Sequence, residues 1–240
     1  MKFKKIIKDV GGFLYYNSYK RYKNSIGNRT LIYHAFGMNL DHDTYGISIP
    51  LNKFREHMIF IKENYTIRPL STPFPDLCSV SITIDDGYKD TLLAADVLNN
   101  LNIPFSLFIT SNNIDKKDYL TSYDIQQLNQ LDICEIGSHG KTHSKLGDLD
   151  NESQNNEVLD SKTYLENLIN FKVESISLPH GSYNHNTFSI IMKNGYKRIA
   201  TSIKGLNDNQ TNNIIKRSEI IKNDNTTALH KKILGYYDYY

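Results

Sequence analysis

Apolar and polar positions along this chain follow two patterns, which predict strands and helices in regular succession. Short apolar runs with a period of two predict strands, and longer segments with apolar residues every three or four positions predict helices. The predicted strands lie near residues 31–36, 80–84, 104–109, 133–137, 175–179, 196–200 and 214–217. Helices are predicted to begin near residues 50, 88, 122, 153, 186 and 227, so most strands are followed by a helix.

This alternation predicts a parallel sheet, because parallel neighbours are joined by connections of helix length. About seven such units in 240 residues fit a distorted, incomplete (β/α) barrel better than a doubly wound sheet, whose glycine fingerprint is absent. We therefore expect one α/β barrel domain over residues 31–240, preceded by a helical extension over residues 1–30. The carboxyl ends of barrel strands share one face, so residues distant in sequence meet there.

The N-terminal segment has an apolar stripe beside basic residues. The stripe consists of Ile6, Ile7, Val10, Phe13 and Leu14, and the nearby lysines are Lys4, Lys5 and Lys8. Two interpretations are open, a helix packed on the barrel and a helix on a membrane surface, and we expect the first because such stripes usually face a core. No segment has the roughly 18 uninterrupted apolar residues of a membrane-spanning helix, and no signal peptide is recognisable. We therefore expect a cytoplasmic protein, with peripheral contact with the inner membrane through this helix as the second interpretation.

Composition narrows the function classes. The net charge is +2 and the basic residues are scattered, which argues against a nucleic-acid surface. Cys78 and Cys134 each lie beside an apolar run without a Cys-x-x-Cys motif. We expect both to be reduced thiols, which favours a reducing compartment.

The strand over residues 80–84 ends at two adjacent carboxylates, Asp85 and Asp86, followed by Gly87. Adjacent carboxylates repel each other unless a positive partner lies beside them, and a bound metal ion is such a partner. The alternative is that Asp86 caps the following helix by accepting a backbone N–H of its first turn.

Two histidines, His139 and His143, follow the strand over residues 133–137. Four-residue spacing on a helical turn would place both imidazoles on one side. Two histidines and one carboxylate leave an open position for water on zinc, as a hydrolytic metal site requires. Surface or core histidines are the alternative, but their position after a strand would let them meet Asp86 across the barrel mouth.

A third strand ends in a turn at Pro179 and Gly181. Such a turn exposes backbone N–H groups, which can stabilise a developing oxyanion. An ordinary turn is the alternative.

Together the three stretches resemble the polysaccharide deacetylases with NodB homology, carbohydrate esterase family four. The resemblance rests on Thr-Ile-Asp-Asp-Gly-Tyr at 83–88, Glu-Ile-Gly-Ser-His-Gly-Lys-Thr-His at 135–143 and Leu-Pro-His-Gly-Ser-Tyr-Asn at 178–184, and it covers the chain from about Leu31. It implies a distorted (β/α) barrel that removes an N-acyl group from a sugar with the help of a metal.

The resemblance also implies roles for individual residues. Asp85 would be the general base, and the N–H of His180 would help to hold the oxyanion. One divalent metal ion would be bound by Asp86, His139 and His143. We expect Zn²⁺, although this ligand set also admits cobalt, nickel or iron. The substrate-binding residues would be Pro179, Gly181 and Tyr183.

The chain departs from the family pattern in three places. One is His180, since members usually have an aromatic residue before the glycine of this motif. Many members have an arginine before the proline motif that steadies the base, and here that position is Ser177. Arg217 is our candidate substitute, with a surface or structural arginine as the alternative. The late histidine that supplies the leaving amine with a proton has no clear match. Candidates are His180, His34 and, last, His230, with His34 as a packed strand residue the alternative; residues 41–43 are expected to form a solvated loop.

We therefore expect a hydrolase of linear amides that removes the N-acetyl group of an amino sugar in a bacterial surface polysaccharide or its precursor, the latter carried on a lipid or a nucleotide. One alternative is a deformylase of a formamido sugar. The other is a non-catalytic glycan-binding protein on the same scaffold, suggested by the missing arginine and late histidine.

Overall fold

A sheet of nine strands, each parallel to its neighbours, forms the centre of the computed structural model, which describes residues 2–20, 27–73, 78–208 and 213–238. The strands are β1 (Gly27–Tyr33), β2 (Thr66–Ile67), β3 (Cys78–Ile84), β4 (Phe105–Ile109), β5 (Cys134–Ser138), β6 (Ser175–Ser177), β7 (Arg198–Ala200), β8 (Ile214–Ile215) and β9 (Arg217–Glu219). The helices are α1 (Lys2–Tyr15), α2 (Leu51–Asn64), α3 (Thr91–Leu101), α4 (Ser122–Leu128), α5 (Asn151–Ile169), α6 (Thr187–Lys193) and α7 (Thr226–Leu234).

The strand order is β8-β7-β6-β5-β4-β3-β1-β9, with β2 paired to β3 beside this path. The two ends of this order, β8 and β9, are consecutive in the chain and are separated by Lys216 alone. The side-chain amide of Asn207 accepts from the N–H of Lys216 at 2.8 Å and donates to its carbonyl at 2.8 Å. Strand pairing is therefore interrupted at Lys216, because β8 before it pairs with β7 and β9 after it pairs with β1. The result is a distorted (β/α) barrel that is not continuously closed.

The single α/β domain with a parallel sheet is confirmed. About seven strands were expected; the additional ones are the two-residue β2 and the division of the last strand into β8 and β9. The alternative role given to Asp86 is wrong. Helix α3 begins at Thr91 with Asp90 at its cap, so Asp86 does not cap it.

The alternation in β3 separates a polar barrel interior from an apolar outer layer. Val80, Ile82 and Ile84 pack in the main hydrophobic cluster with residues of the surrounding helices. The intervening hydroxyl groups bind other polar groups; Ser81 accepts from Asn28 at 2.9 Å, and Thr83 accepts from Arg217 at 3.0 Å. Because the interior is polar and hydrogen-bonded, it can hold charged side chains near the strand ends.

Helix α1 turns its apolar stripe away from the rest of the chain. Ile7, Val10, Phe13 and Leu14 are each more than half exposed. The expectation that the stripe packs on the barrel is therefore wrong for these four residues, and the side chain of Ile6 lies outside what the structure describes. Within the described residues, no helix combines the length and apolar character that crossing a membrane demands.

A buried ion pair fixes the C-terminal segment to the first strand. Arg29 of β1 is fully buried and donates to both oxygens of Asp238, at 2.9 and 3.1 Å, and to the carbonyl of Ile233 at 3.0 Å. Because Arg29 cannot lose its charge, it depends on this carboxylate.

We expect Asp238→Asn to lower the free energy of unfolding by about 3–5 kcal/mol, because it leaves the Arg29 guanidinium buried without a counter-charge. Urea denaturation followed by circular dichroism measures this. The control is Glu174→Gln, which removes an exposed pair with Lys197 and should cost less than about 1 kcal/mol. Equal costs for the two variants would contradict the role given to the buried pair.

Candidate functional site

Three potential metal ligands meet at the carboxyl ends of β3 and β5. Asp86 follows β3, His139 follows β5, and His143 lies four residues further along. The Nε2 atoms of His139 and His143 each lie 3.2 Å from Oδ1 of Asp86, and the three ligand atoms all lie within 4.8 Å of one another. Asp86 and His143 have positive φ angles of 75° and 66°, so irregular backbone, rather than a helical turn, directs these side chains.

Oδ1 of Asp86 is buried, and neither imidazole forms a well-directed hydrogen bond with it. Burial alone raises the pKa of Asp86, but the two imidazoles outweigh it and hold that pKa well below its usual value. A charged, buried carboxylate oxygen and two imidazole nitrogens together form a ligand set that suits a divalent cation. These residues therefore fit the metal ion that the sequence predicts.

His139 is held in one orientation by the neighbouring strand. Its Nδ1 donates to the carbonyl of Ser177 at 2.9 Å, and the residue is 3% exposed. Because Nδ1 carries the proton in this hydrogen bond, Nε2 is left as the atom that can bind a metal. The side chain thus has the tautomer required of a ligand.

Glu157 of α5 holds the loop that carries His143. Its Oε2 accepts from the N–H groups of Lys141 and Thr142 at 3.0 and 2.9 Å, and its Oε1 accepts from the Thr142 hydroxyl at 2.7 Å. Glu157 is a buried carboxylate, 8% exposed, with all three of these contacts in one loop. A charged acceptor with these donors fixes the backbone between the two histidines.

Asp85 is paired with Arg217, which arrives on β9. The guanidinium donates to the two Asp85 oxygens at 2.8 and 2.9 Å, and the Ser177 hydroxyl adds a further hydrogen bond at 2.8 Å. Burial alone raises the pKa of Asp85, but Arg217 and His139 more than offset this and lower it. Arg217 is 1% exposed, so the alternative of a surface arginine is wrong.

The three candidate acids lie in different places. His34 directly follows β1, is half-buried and lines the cavity that contains Asp85 and Asp86, and its Nδ1 is buried without a hydrogen bond in the described part of the chain. His180 lies against His143, with ring centroids 4.5 Å apart, and has a positive φ of 56°. Burial and the neighbouring His143 lower the pKa of His180. His230 lies elsewhere and hydrogen-bonds the Tyr65 hydroxyl at 2.6 Å.

The residues assigned to substrate binding are less close together. Gly181 lines the cavity beside His180, and its positive φ of 63° suits glycine in this turn. Pro179 is buried below the turn, whereas Tyr183 is partly exposed and packs on the Phe188 ring. Neither Pro179 nor Tyr183 is among the residues that line the cavity.

A loop over residues 37–48 also contributes to the site. The Asp43 carboxylate accepts from the N–H groups of Ile47 and Ser48 at 2.9 and 3.1 Å and so shapes this loop. His42 reaches the Tyr88 hydroxyl at 3.0 Å, and the Tyr88 ring stacks on that of Tyr119 at 5.1 Å. Asp41 and His42 are exposed, as expected for a solvated loop at 41–43, and His42 and Asp43 also line the cavity. The only sequence signal for this second role is an aspartate ahead of a glycine, which is common in turns.

The cavity above these residues has a volume of about 810 Å³. Histidine, tyrosine, aspartate and lysine side chains line it, including those of Asp86, His139 and His143. Its size and polar lining suit a sugar better than an apolar small molecule.

Comparisons with known proteins agree with this geometry. Residues 76–199 match the family model described as polysaccharide deacetylase. A curated protein of Bacillus subtilis (strain 168), "Putative polysaccharide deacetylase YxkH", is 29% identical over 185 residues, which is 73% of this chain and 64% of that protein. The match thus spans less than two thirds of that relative's length.

Solved structures share the fold. A polysaccharide deacetylase from Bacillus cereus superposes with a TM-score of 0.77 at 21% identity, over 86% of this chain and 69% of that one. The deacetylase PplD from Streptococcus pyogenes, solved in complex with acetate, gives a TM-score of 0.77 at 20% identity, over 88% of this chain and 99% of that one.

We expect Glu157→Gln to weaken zinc binding by about 10- to 100-fold, because a neutral amide accepts the two loop N–H groups more weakly than a carboxylate does and His143 is then held less firmly in position. Competition with a chromogenic chelator measures the zinc dissociation constant. Asp160→Asn is the matched control, since Asp160 is exposed on the same helix and contacts only the Lys141 side chain of this loop, at 2.8 Å. Equal zinc affinity in Glu157→Gln and the wild type would show that the clamp does not position His143.

Proposed function

Because the chain belongs to the polysaccharide deacetylase family, we propose that it is a metal-dependent hydrolase that removes the N-acetyl group from an amino sugar of a bacterial surface polysaccharide or its precursor. The observation that carries this proposal is the pair of adjacent carboxylates with different partners. Asp85 is bound by Arg217, and Asp86 faces the imidazoles of His139 and His143. One carboxylate is thus available for acid–base chemistry and the other for a cation.

Asp86, His139 and His143 would hold one divalent ion, with Zn²⁺ as our first choice. When bound, such an ion polarises an amide carbonyl and makes a coordinated water more acidic, to a pKa of about 7 in favourable zinc sites. The remaining parts of the reaction fall to side chains and backbone groups of this protein.

Asp85 is the proposed general base. It accepts the proton of the attacking water, and Arg217 and the Ser177 hydroxyl keep its oxygens in place during the transfer. The low pKa of Asp85 keeps it ionised and ready to accept a proton at neutral pH. We assign the N–H of His180, in the turn after β6, to the oxyanion that forms on the acetyl carbonyl.

His34 is the proposed acid that gives a proton to the leaving amine. It shares the cavity with Asp85 and Asp86, and it contributes to the lowering of the pKa of each. Its Nδ1 has no hydrogen-bond partner within the described residues, so no hydrogen bond there fixes the tautomer of this ring. His180 is the second candidate, but the lowered pKa favours its neutral form.

Acetyl is favoured over formyl only through the family, so the deformylase alternative is decided by product analysis. Assays of acetate and formate release from N-acylated sugars, polymers and lipid-linked forms distinguish the two. The same proposal includes that the enzyme acts in the cytoplasm, on a precursor carried by a lipid or a nucleotide. Recovery of the protein in a secreted fraction would contradict that part alone.

We expect Asp85→Asn to lower kcat by about 10²- to 10⁴-fold, because an amide cannot accept the water proton. Its zinc content should stay at the wild-type level, since Asp86, His139 and His143 are unchanged. Acetate release and metal analysis on the same sample test both statements. A wild-type protein that binds the glycan and zinc but releases no acetate would instead support the glycan-binding alternative.

We expect His34→Gln to lower kcat about 10²-fold or more while KM changes little, because the amine then leaves without a positioned proton donor. The loss should shrink with substrates whose amine is a better leaving group. His230→Gln is the matched control, because His230 lies on α7 against Tyr65 and is not among the residues lining the cavity. A full loss in His180→Gln with a normal rate in His34→Gln would transfer the role to His180.

A further inference from the structure

The apolar stripe of α1 has no partner within the described residues. Ile7 is 58% exposed, Val10 53%, Phe13 57% and Leu14 61%. These positions follow the three- and four-residue spacing of one helix side. Four large apolar side chains in a row are more than the scattered exposure found on ordinary surfaces.

The opposite side of α1 makes its contacts with the chain. A Cβ at Gly12 would lie 2.8 Å from the carbonyl oxygen of Tyr236, so the helix approaches the C-terminal segment closely there. One turn further, beyond the end of α1, the ring of Tyr16 stacks on that of Tyr236 with centroids 4.3 Å apart. The helix is therefore attached by its glycine side, and the stripe is left facing outward.

The N-terminal segment that contains α1 is strongly basic. Residues 1–24 contain seven basic residues and one acidic residue, a net charge of +6, although the whole chain has only +2. The basic residues are Lys2, Lys4, Lys5, Lys8, Lys20, Arg21 and Lys23. A second copy of this segment would bring like charges together, whereas an anionic surface would neutralise them.

We propose that α1 binds the surface of a membrane rich in anionic lipid, with Ile7, Val10, Phe13 and Leu14 inserted at the boundary between headgroups and acyl chains. A basic helix with one apolar side has the chemistry for this position. This inference does not depend on the proposed deacetylase activity. Membrane binding would concentrate the protein where lipid-linked glycans are found.

Flotation of the full chain with vesicles tests the proposal. Wild-type protein should float with vesicles of 30% phosphatidylglycerol and 70% phosphatidylcholine, and it should float far less with pure phosphatidylcholine or at 0.5 M salt, where charge attraction is screened. The double variant Phe13→Ser with Leu14→Ser should bind anionic vesicles at least about tenfold more weakly, because it loses two inserted side chains. The helix should still form on the protein, since both side chains are more than half exposed.

The matched control is Phe171→Ser, which removes a side chain that is 70% exposed outside α1 and should leave flotation unchanged. Circular dichroism of all variants checks that the fold is intact. Wild-type protein that does not float with anionic vesicles, or an equal loss in Phe171→Ser, overturns the proposal. So does a concentration-dependent dimer that disappears in the double variant while vesicle binding is absent, because the stripe would then join two copies.

Discussion

Two carboxylates are buried side by side at the end of β3, and each needs a positive partner of its own. Asp85 is 3% exposed and Asp86 7% exposed, so bulk water screens their charges poorly. The Arg217 guanidinium satisfies Asp85 with two parallel hydrogen bonds, whereas Asp86 faces two imidazoles at 3.2 Å. Since two unpaired charges at this distance would strongly oppose folding, the surroundings of the site are organised around separating their partners.

The barrel provides this separation through its polar interior and its interrupted last strand. The hydroxyl groups of Thr83 and Ser177 complete the hydrogen bonds of the guanidinium, at 3.0 and 2.7 Å. The side-chain amide of Asn207 hydrogen-bonds both the N–H and the carbonyl of Lys216. The next residue, Arg217, then points from β9 into the barrel interior. On the other side, the Ser177 carbonyl and Glu157 hold the two histidines in place. Each side chain is thus fixed by a neighbour from a different strand or helix.

The hydrophobic pattern and the motifs predicted the fold and the candidate metal ligands, because both can be inferred from short stretches of sequence. Strand ends are visible as apolar runs that stop at charged residues, so Asp86 and His139 could be placed on one face. Arg217 was harder to assign, because its role depends on an interruption at Lys216 that no periodicity reveals. Glu157 resembles any acidic residue of a polar helix, and only its three contacts show what it holds. His42 lies in a loop, where side-chain direction depends on tertiary contacts rather than on pattern.

The guanidinium beside Asp85 comes from the strand that joins the two edges of the sheet, not from the segment before the proline motif. Ser177, which occupies that second position, still contacts the same carboxylate oxygen through its hydroxyl. Both positions point into one small volume, so a cation can be contributed from either side of it without moving the carboxylate. Two relatives can therefore differ at an aligned position and still have the same chemical group at the same point in space. A comparison of aligned positions alone would miss this equivalence.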